Sequence, residues 1–304
     1  MLNQNEIRES ITNRIVEALK QGKIPWRRPW SENPDPAGGL PRNIVSRKSY
    51  GGLNITLLWL TQNEKGYPTS FWGSYQQWAS LGGQVRKGER ATQIIFYRQV
   101  KRTVEQEDGE KRLETFPLLR TWSVFNICQV DGEIAEQFKA KPQADAIETF
   151  PAVEREEFDQ LVKATNADIR FGFDKAAYYR LPADCIVLPD EGRFNTFGDF
   201  ASTMLHELAH WTEHRLGWEG DYASGELRAE TTSSFVTSAL GLPGSSDDSN
   251  TIAYIQSWIR ALENDPKHIF KASSAASKAA DYLLGFVRPK EGAAEVEEEA
   301  AVSE

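Results

Sequence analysis

One segment of the sequence restricts what this chain can fold into more than any other. Residues 197–217, FGDFASTMLHELAHWTEHRLG, have helical composition throughout, and Gly217 is placed to end the helix. On such a helix His206 and His210 are one turn apart and about 40° apart around the axis, so both imidazoles can reach one metal ion. The sequence therefore predicts a fold in which another element completes a metal site beside this helix.

The glutamate between the two histidines has a different predicted role. Glu207 follows His206 in an HExxH pattern, where a carboxylate can hold a water molecule that the metal activates. The charge of the metal lowers the pKa of that water towards about 7, and the carboxylate takes the proton. The pattern predicts Glu207 as the catalytic base and hydrolysis of a peptide bond as the reaction.

His214, the third histidine of this segment, is disfavoured as a ligand by its position. It lies about 80° from His206 across two turns, and three successive turns of one helix do not converge on a tetrahedral site. We interpret His214 as a surface or capping residue, or as a residue that supports a ligand. A third ligand is then expected from another element.

That ligand is expected from the next helix, which begins near Gly220. Glu230 follows His210 by 20 residues, enough for a loop and a short stretch of antiparallel helix, and it is the predicted ligand. Glu226, one turn earlier on the same face, is the alternative, or a hydrogen-bonding partner for a histidine. Both glutamates could instead be surface residues in ion pairs. Two His, one Glu and one water suit Zn²⁺, although such sites also accept Mn²⁺ or Co²⁺.

The charge of the chain is divided between its two halves. The net charge is −9, but residues 1–104 carry 16 Lys and Arg against 7 Asp and Glu, whereas residues 141–304 carry 15 against 29. Such an asymmetry favours a nucleic-acid partner for the basic half, although many basic faces are simply solvated.

Aromatic and basic residues are interleaved in the basic half. Bases stack on aromatic rings for about 1–3 kcal/mol each, and Lys and Arg contact phosphates. This pattern predicts a surface for single-stranded DNA, although an individual ring such as Trp59 in LLWL belongs in a core. The predicted contact residues are Trp26, Arg27, Arg28, Trp30, Tyr50, Trp72, Tyr75, Arg86, Lys87 and Arg90.

The element patterns predict an α+β chain of two domains. The first, residues 1–140, contains three helices, the first of them amphipathic, and two strands that form an antiparallel hairpin. A linker over residues 141–151 precedes a mostly helical second domain, residues 152–287. Residues 288–304 are acidic, Ala-rich and without aromatics, which predicts a disordered tail.

The composition favours a cytoplasmic protein. No stretch approaches the ~20 apolar residues of a membrane helix, and we expect no secretory signal at the N-terminus and no membrane partner. The two cysteines, Cys128 and Cys185, are far apart in dissimilar contexts, which favours free thiols in a reducing compartment.

The ordered set of motifs resembles the ArdC-type antirestriction proteins of conjugative plasmids and phages, and similar N-terminal domains precede some plasmid primases. The resemblance covers nearly the whole chain except the tail, and it rests on PWRRPW, YGGLN, FWGSYQQW, VRKGER, DCIVLP, HELAHWTEHRL, ELRAE and AYIQSWIRAL. It implies an N-terminal single-stranded-DNA-binding domain, a C-terminal zincin-like metallopeptidase domain of gluzincin type, and protection of incoming plasmid DNA from host restriction. It also implies His206, His210 and Glu230 as metal ligands and Glu207 as the base.

The sequence leaves three functions open. The protein could be a protease tethered to DNA that cuts a host protein or restriction enzyme. It could be a binding protein that coats single-stranded DNA and carries a structural metal. A metal-dependent nuclease is the weakest alternative, because nuclease sites favour carboxylate-rich or two-metal arrangements. Glu207 favours the protease, since a structural metal site needs no base. The basic half with its aromatic residues favours the binding protein, because binding of the DNA would explain protection directly.

Overall fold

The N-terminal half combines short helices with a long antiparallel hairpin. Its helices are α1 (Gln4–Lys20), α2 (Leu53–Lys65), α3 (Tyr75–Ser80) and α4 (Glu133–Lys139). Its strands are β1 (Arg42–Asn43), β2 (Phe71–Gly73), β3 (Gln84–Val85), β4 (Thr92–Glu105), β5 (Lys111–Asn126) and β6 (Val130–Asp131). The order of the main sheet is β1-β2-β5-β4, and β3 pairs with β6. The predicted hairpin is confirmed as the β4–β5 pair.

The C-terminal half places a small sheet against a group of helices. After α5 (Ala152–Thr165), the strands β7 (Asp168–Gly172), β8 (Tyr178–Arg180) and β9 (Cys185–Pro189) form a sheet of order β7-β9-β8. The helices that follow are α6 (Phe197–Arg215), α7 (Tyr222–Ala239), α8 (Ser249–Asn264) and α9 (His268–Leu284). The α+β fold with a mostly helical second domain agrees with the prediction.

These elements come from a computed structural model, which describes residues 3–28, 39–105, 111–139, 152–172, 176–246 and 249–288. Trp30, the whole predicted linker over residues 141–151, and residues 289–304 of the predicted tail lie outside these ranges. Within them, no helix is long and apolar enough to cross a membrane.

The two halves share their hydrophobic cores. Trp59 of α2 is fully buried against α7, where its ring meets Phe235 edge to face with centroids 5.8 Å apart. Trp26, which follows α1, packs in the same way on Trp258 of α8 at 5.2 Å. Because each half covers apolar side chains of the other, the binding experiments below use the full chain.

The helix that carries the histidines is fixed at its start by a buried carboxylate. Asp199 is 5% exposed, and its oxygens accept hydrogen bonds from the hydroxyl of Thr196 at 2.8 Å and the backbone N–H of Ser246 at 2.7 Å. Burial alone would raise the pKa of Asp199, but hydrogen bonds from Thr196, Ser245 and Ser246 lower it from 3.8 to about 2. The ionised carboxylate therefore stabilises the fold.

Replacing Asp199 with Ala is expected to lower the free energy of unfolding at pH 7 by about 2 kcal/mol, the equivalent of this pKa shift. Because the folded-state pKa is the lower one, this stabilisation is present above pH 4 and disappears as the pH falls towards 2. Urea unfolding between pH 2 and pH 7 measures the difference, with Asp190→Ala as the exposed control. An Asp199→Ala deficit that stayed constant down to pH 2 would contradict this account.

Candidate metal centre and nucleic-acid surface

Helices α6 and α7 pack so closely that side chains of α7 donate hydrogen bonds to backbone carbonyls of α6. The Ser233 hydroxyl on α7 donates to the Ser202 carbonyl on α6 at 2.8 Å. Arg228, which is 1% exposed, donates to the Ala209 carbonyl at 2.9 Å and to the Thr212 hydroxyl at 2.6 Å. These contacts fix the rotation of α7 relative to the two histidines, and that rotation decides which glutamate faces them.

A compact group of metal-binding atoms lies between the two helices. The Nε2 atoms of His206 and His210 are 3.1 Å apart, and the Glu226 carboxylate lies 3.4 Å from the first and 3.6 Å from the second. The ligand atoms of these three residues all lie within 4.8 Å of one another. Two imidazole nitrogens and a carboxylate oxygen at this spacing form a donor set that fits one divalent ion.

Glu230, the ligand predicted from the sequence, occupies a different position. Its Oε2 lies 3.4 Å from Nδ1 of His206, on the side of the ring away from His210, and Thr251 donates to its Oε1 at 2.6 Å. Glu226 and Glu230 are one helical turn apart, so they meet opposite edges of the same imidazole. In this geometry the Glu226 carboxylate, and not that of Glu230, lies with the two Nε2 atoms, while Glu230 contacts the other nitrogen of the His206 ring.

The second histidine has similar support. Glu213 Oε1 lies 3.0 Å from Nδ1 of His210, which leaves Nε2 directed at Glu226. Carboxylates in such positions orient a metal-binding imidazole and fix its tautomer. His214 is exposed in the last turn of α6 and takes no part in this group, in agreement with its predicted surface position.

The charged groups of the site shift one another's pKa values. Burial would lower the pKa of His206, but hydrogen bonds to Glu226 and Glu230 raise it above its ordinary value. Burial would raise the pKa of Glu230, yet hydrogen bonds from His206 and Thr251 and the nearby charges of His206 and Arg27 lower it. His206 and the two glutamates therefore favour one another's charged forms.

Glu207 lies beside this group and points towards β8. It is 6% exposed, and the backbone N–H of Tyr179 donates to its carboxylate. Burial raises the pKa of Glu207 above its ordinary value, although the charges of His206 and His210 oppose the shift. A carboxylate with a raised pKa is a stronger proton acceptor, which suits a general base.

Several residues that were predicted to contact DNA do not lie together on one exposed surface. Trp26 and Trp72 are both fully buried, so their rings belong to the core and offer no face to a base. Tyr50 is half-buried, and its hydroxyl accepts a hydrogen bond from Asn43. Arg27 lies near Glu230 of the metal centre. The Arg28 side chain packs closely against Gly39, where it fills the space that a larger residue would need.

Other predicted DNA contacts come together around one cavity. Tyr75, Arg86 and Lys87 line a space of about 670 Å³, together with Phe125 at the end of β5. Arg86 is held there by Glu89 at 2.8 Å and by Asp131 at 3.3 Å. Arg90 is exposed but does not line this cavity.

Two family models match successive parts of the chain. A model described as the N-terminal domain of anti-restriction factor ArdC matches residues 5–125, and one described as a zincin-like metallopeptidase matches residues 156–275. The curated DNA primase TraC of Escherichia coli is 35% identical over 91% of this chain, but the chain spans only 27% of that primase. The uncharacterized protein y4eC of Sinorhizobium fredii is 32% identical, with 91% of each chain covered.

Solved structures extend the likeness to the whole fold. The metal-free crystal structure of the antirestriction ArdC protein from plasmid R388 is 35% identical, has a TM-score of 0.75, and covers 92% of this chain and 97% of its own. The Mn(II)-bound structure of that protein is 34% identical, has a TM-score of 0.71, and covers 93% and 99%. The relative's metal and the donor set here together support a divalent ion at this centre. The chain belongs to the ArdC family of antirestriction proteins.

Proposed function

We propose that this protein protects incoming DNA from restriction by binding its single-stranded form without sequence preference, and that it also carries a zinc peptidase centre. The observation that carries the peptidase part is the group of His206, His210 and Glu226 with Glu207 beside it. For the DNA part, the support is the cavity where Tyr75 lies beside Arg86 and exposed Lys87, in a half whose charge is strongly positive. Glu89 and Asp131 also line this cavity and pair with Arg86, so Lys87 is the basic side chain there that is offered to a phosphate.

In the proposed centre each side chain has one task. His206, His210 and Glu226 hold the ion, while Glu230 and Glu213 orient the two imidazoles. A bound Zn²⁺ supplies Lewis acidity, which polarises a peptide carbonyl and lowers the pKa of a water. Glu207 accepts the proton of the attacking water and passes it to the leaving amine.

A second candidate function is proteolysis of a host protein or a restriction enzyme at the DNA. The observation in its favour is Glu207, because a metal that serves only as a structural support needs no neighbouring base. Burial raises the pKa of Glu207 above its ordinary value, which is compatible with proton transfer.

Charge reversal at the cavity tests the DNA-binding function. Lys87→Glu is expected to weaken binding of the full chain to an oligo(dT). The slope of log Kd against the logarithm of the salt concentration should fall by about 0.7, the value for one lost phosphate contact on a single strand. The same variant should also protect less well when a plasmid is transferred into a restricting host. Fluorescence anisotropy between 50 and 300 mM salt and transfer efficiency measure the two effects.

Lys278→Glu, an exposed charge reversal on α9, is the matched control and should behave as wild type in both assays. Binding of wild type that does not change with salt would rule out the proposed contact with phosphates. Equal losses for Lys87→Glu and Lys278→Glu would show that net charge, rather than the cavity, controls binding.

A further inference from the structure

Exposed aromatic rings are concentrated on the β4–β5 hairpin. Phe96, Phe116 and Trp122 are 40%, 39% and 46% exposed. The strand register pairs Ile94 with Trp122, Phe96 with Arg120 and Val100 with Phe116. Because side chains alternate between the faces of a strand, all three rings lie on the same face of the hairpin.

Two of these rings form a preorganised pair. Phe96 and Trp122 are diagonal neighbours across the strands, with ring centroids 6.1 Å apart and an interplanar angle of 86°. The opposite face is used differently, because Ile95 and Leu119 are buried there in a cluster with α1 and α2. On the face with the rings, Ile94 and Val124 pack against Leu58 and Trp72 near one end of the hairpin, whereas Phe96 and Trp122 remain exposed.

The charges along the same strands favour an anionic partner. Residues 92–104 and 115–126 contain Lys and Arg but no Asp or Glu, and the acidic residues of the hairpin all fall within residues 105–114. On the face with the rings, exposed Arg120 lies opposite Phe96, and exposed Arg98 follows two residues along β4. Guanidinium groups therefore alternate with aromatic rings on one surface.

We infer that this surface, the hairpin face formed by Phe96, Arg98, Phe116, Arg120 and Trp122, is a stacking platform for the bases of single-stranded DNA. The inference rests on the proposed DNA-binding function and adds a second surface to it on the same hairpin, since Phe125, three residues after Trp122 on β5, lines the cavity. Unpaired bases stack on the rings while Arg98 and Arg120 contact the phosphates between them.

The dimensions of the face suit several nucleotides. Trp122 and Phe116 are six residues apart on one strand, which corresponds to about 20 Å at about 3.3 Å per residue. A duplex keeps its bases stacked on one another, so it can use the arginines but not the rings. The hairpin face therefore selects single strands, whereas the positive charge alone would bind either form.

Paired substitutions in the full chain test the platform. Phe96→Ala combined with Trp122→Ala is expected to raise the Kd for a 20-nucleotide oligo(dT) about 30-fold or more, because two stacking contacts are lost. The salt dependence of log Kd should stay unchanged, since no charge is removed. Trp122→Phe should keep most of the affinity, because a phenyl ring still stacks.

The control is Tyr97→Ala combined with Leu113→Ala, which removes two side chains of 52% and 60% exposure, one of them also aromatic, from the opposite face. It should bind within about twofold of wild type, and melting temperatures check that both double variants are folded. All measurements use fluorescence anisotropy with labelled oligo(dT) and unlabelled duplex as competitor.

The possible failures can be told apart. If wild type does not bind oligo(dT), the proposed function and the platform both fall. If wild type binds and the ring variant binds equally well, the platform alone is overturned. The platform would also be overturned if the affinity for duplex DNA fell as much as the affinity for oligo(dT) when the rings are removed. It would be overturned as well if wild type were a dimer that the ring variant dissociates without a change in DNA affinity, because the face would then bind a second copy of the chain.

Discussion

Glu207→Gln is expected to lower the kcat/KM of peptide hydrolysis by about 10²–10⁴-fold, the usual contribution of a general base. Glutamine has nearly the same shape, so it fills the same buried position and can still accept the backbone hydrogen bond from Tyr179. It cannot take a proton from water. The fold, the metal content and the affinity for single-stranded DNA should therefore match those of wild type.

Mass spectrometry of peptides from cells that express wild type or Glu207→Gln identifies cleavage sites, and purified protein with the matching peptides gives the rates. Glu219→Gln, an exposed change in the loop after α6, is the control and should leave the rate unchanged. Full hydrolysis by Glu207→Gln would remove Glu207 from the mechanism.

The same variant separates the two candidate functions in a plasmid-transfer assay. We expect Glu207→Gln to protect incoming DNA as well as wild type, because binding of the single strand blocks restriction directly. If protection is lost while DNA affinity stays intact, proteolysis is the step that protects, and the DNA-binding half serves to bring the centre to its substrate.

The metal centre could be predicted in part because its geometry is local. A spacing of four residues brings His206 and His210 together on any α-helix, whatever surrounds it. The third ligand depends on the rotation of α7, which the buried contacts of Arg228 and Ser233 determine. The sequence shows two glutamates one turn apart but not which of them faces the Nε2 atoms.

The proposed DNA-binding surface was harder to predict because exposure is a property of the whole fold. Trp26 stands beside two arginines in the sequence, yet it is buried by Trp258, more than 200 residues further along the chain. Conversely, the alternation along β4 and β5 places Phe96 and Trp122 on one face, but the sequence does not reveal which face α1 and α2 cover.

Substitution of the two glutamates should give unequal losses of metal. Glu226→Ala removes a ligand atom and leaves only two imidazoles, so we expect the chain to lose its ion during purification. Glu230→Ala leaves His206, His210 and Glu226 in place and removes only the group that orients His206. Loss of such an orienting group lowers metal affinity by about 10–100-fold, so this variant should still bind one ion when metal is in excess.

Metal content by elemental mass spectrometry and melting temperature with and without a chelator measure the difference. An ion that binds only the folded state stabilises it by RT ln(1 + [L]/Kd), where [L] is the concentration of the free ion. Chelation should therefore lower the melting temperature of wild type and of metal-loaded Glu230→Ala. It should not change that of Glu226→Ala, which has no ion to lose. His214→Ala is the control on α6 and should keep wild-type metal content. The opposite pattern, with metal kept by Glu226→Ala and lost by Glu230→Ala, would restore Glu230 as the ligand, because the ion would then have to lie on the Nδ1 side of His206, out of reach of His210.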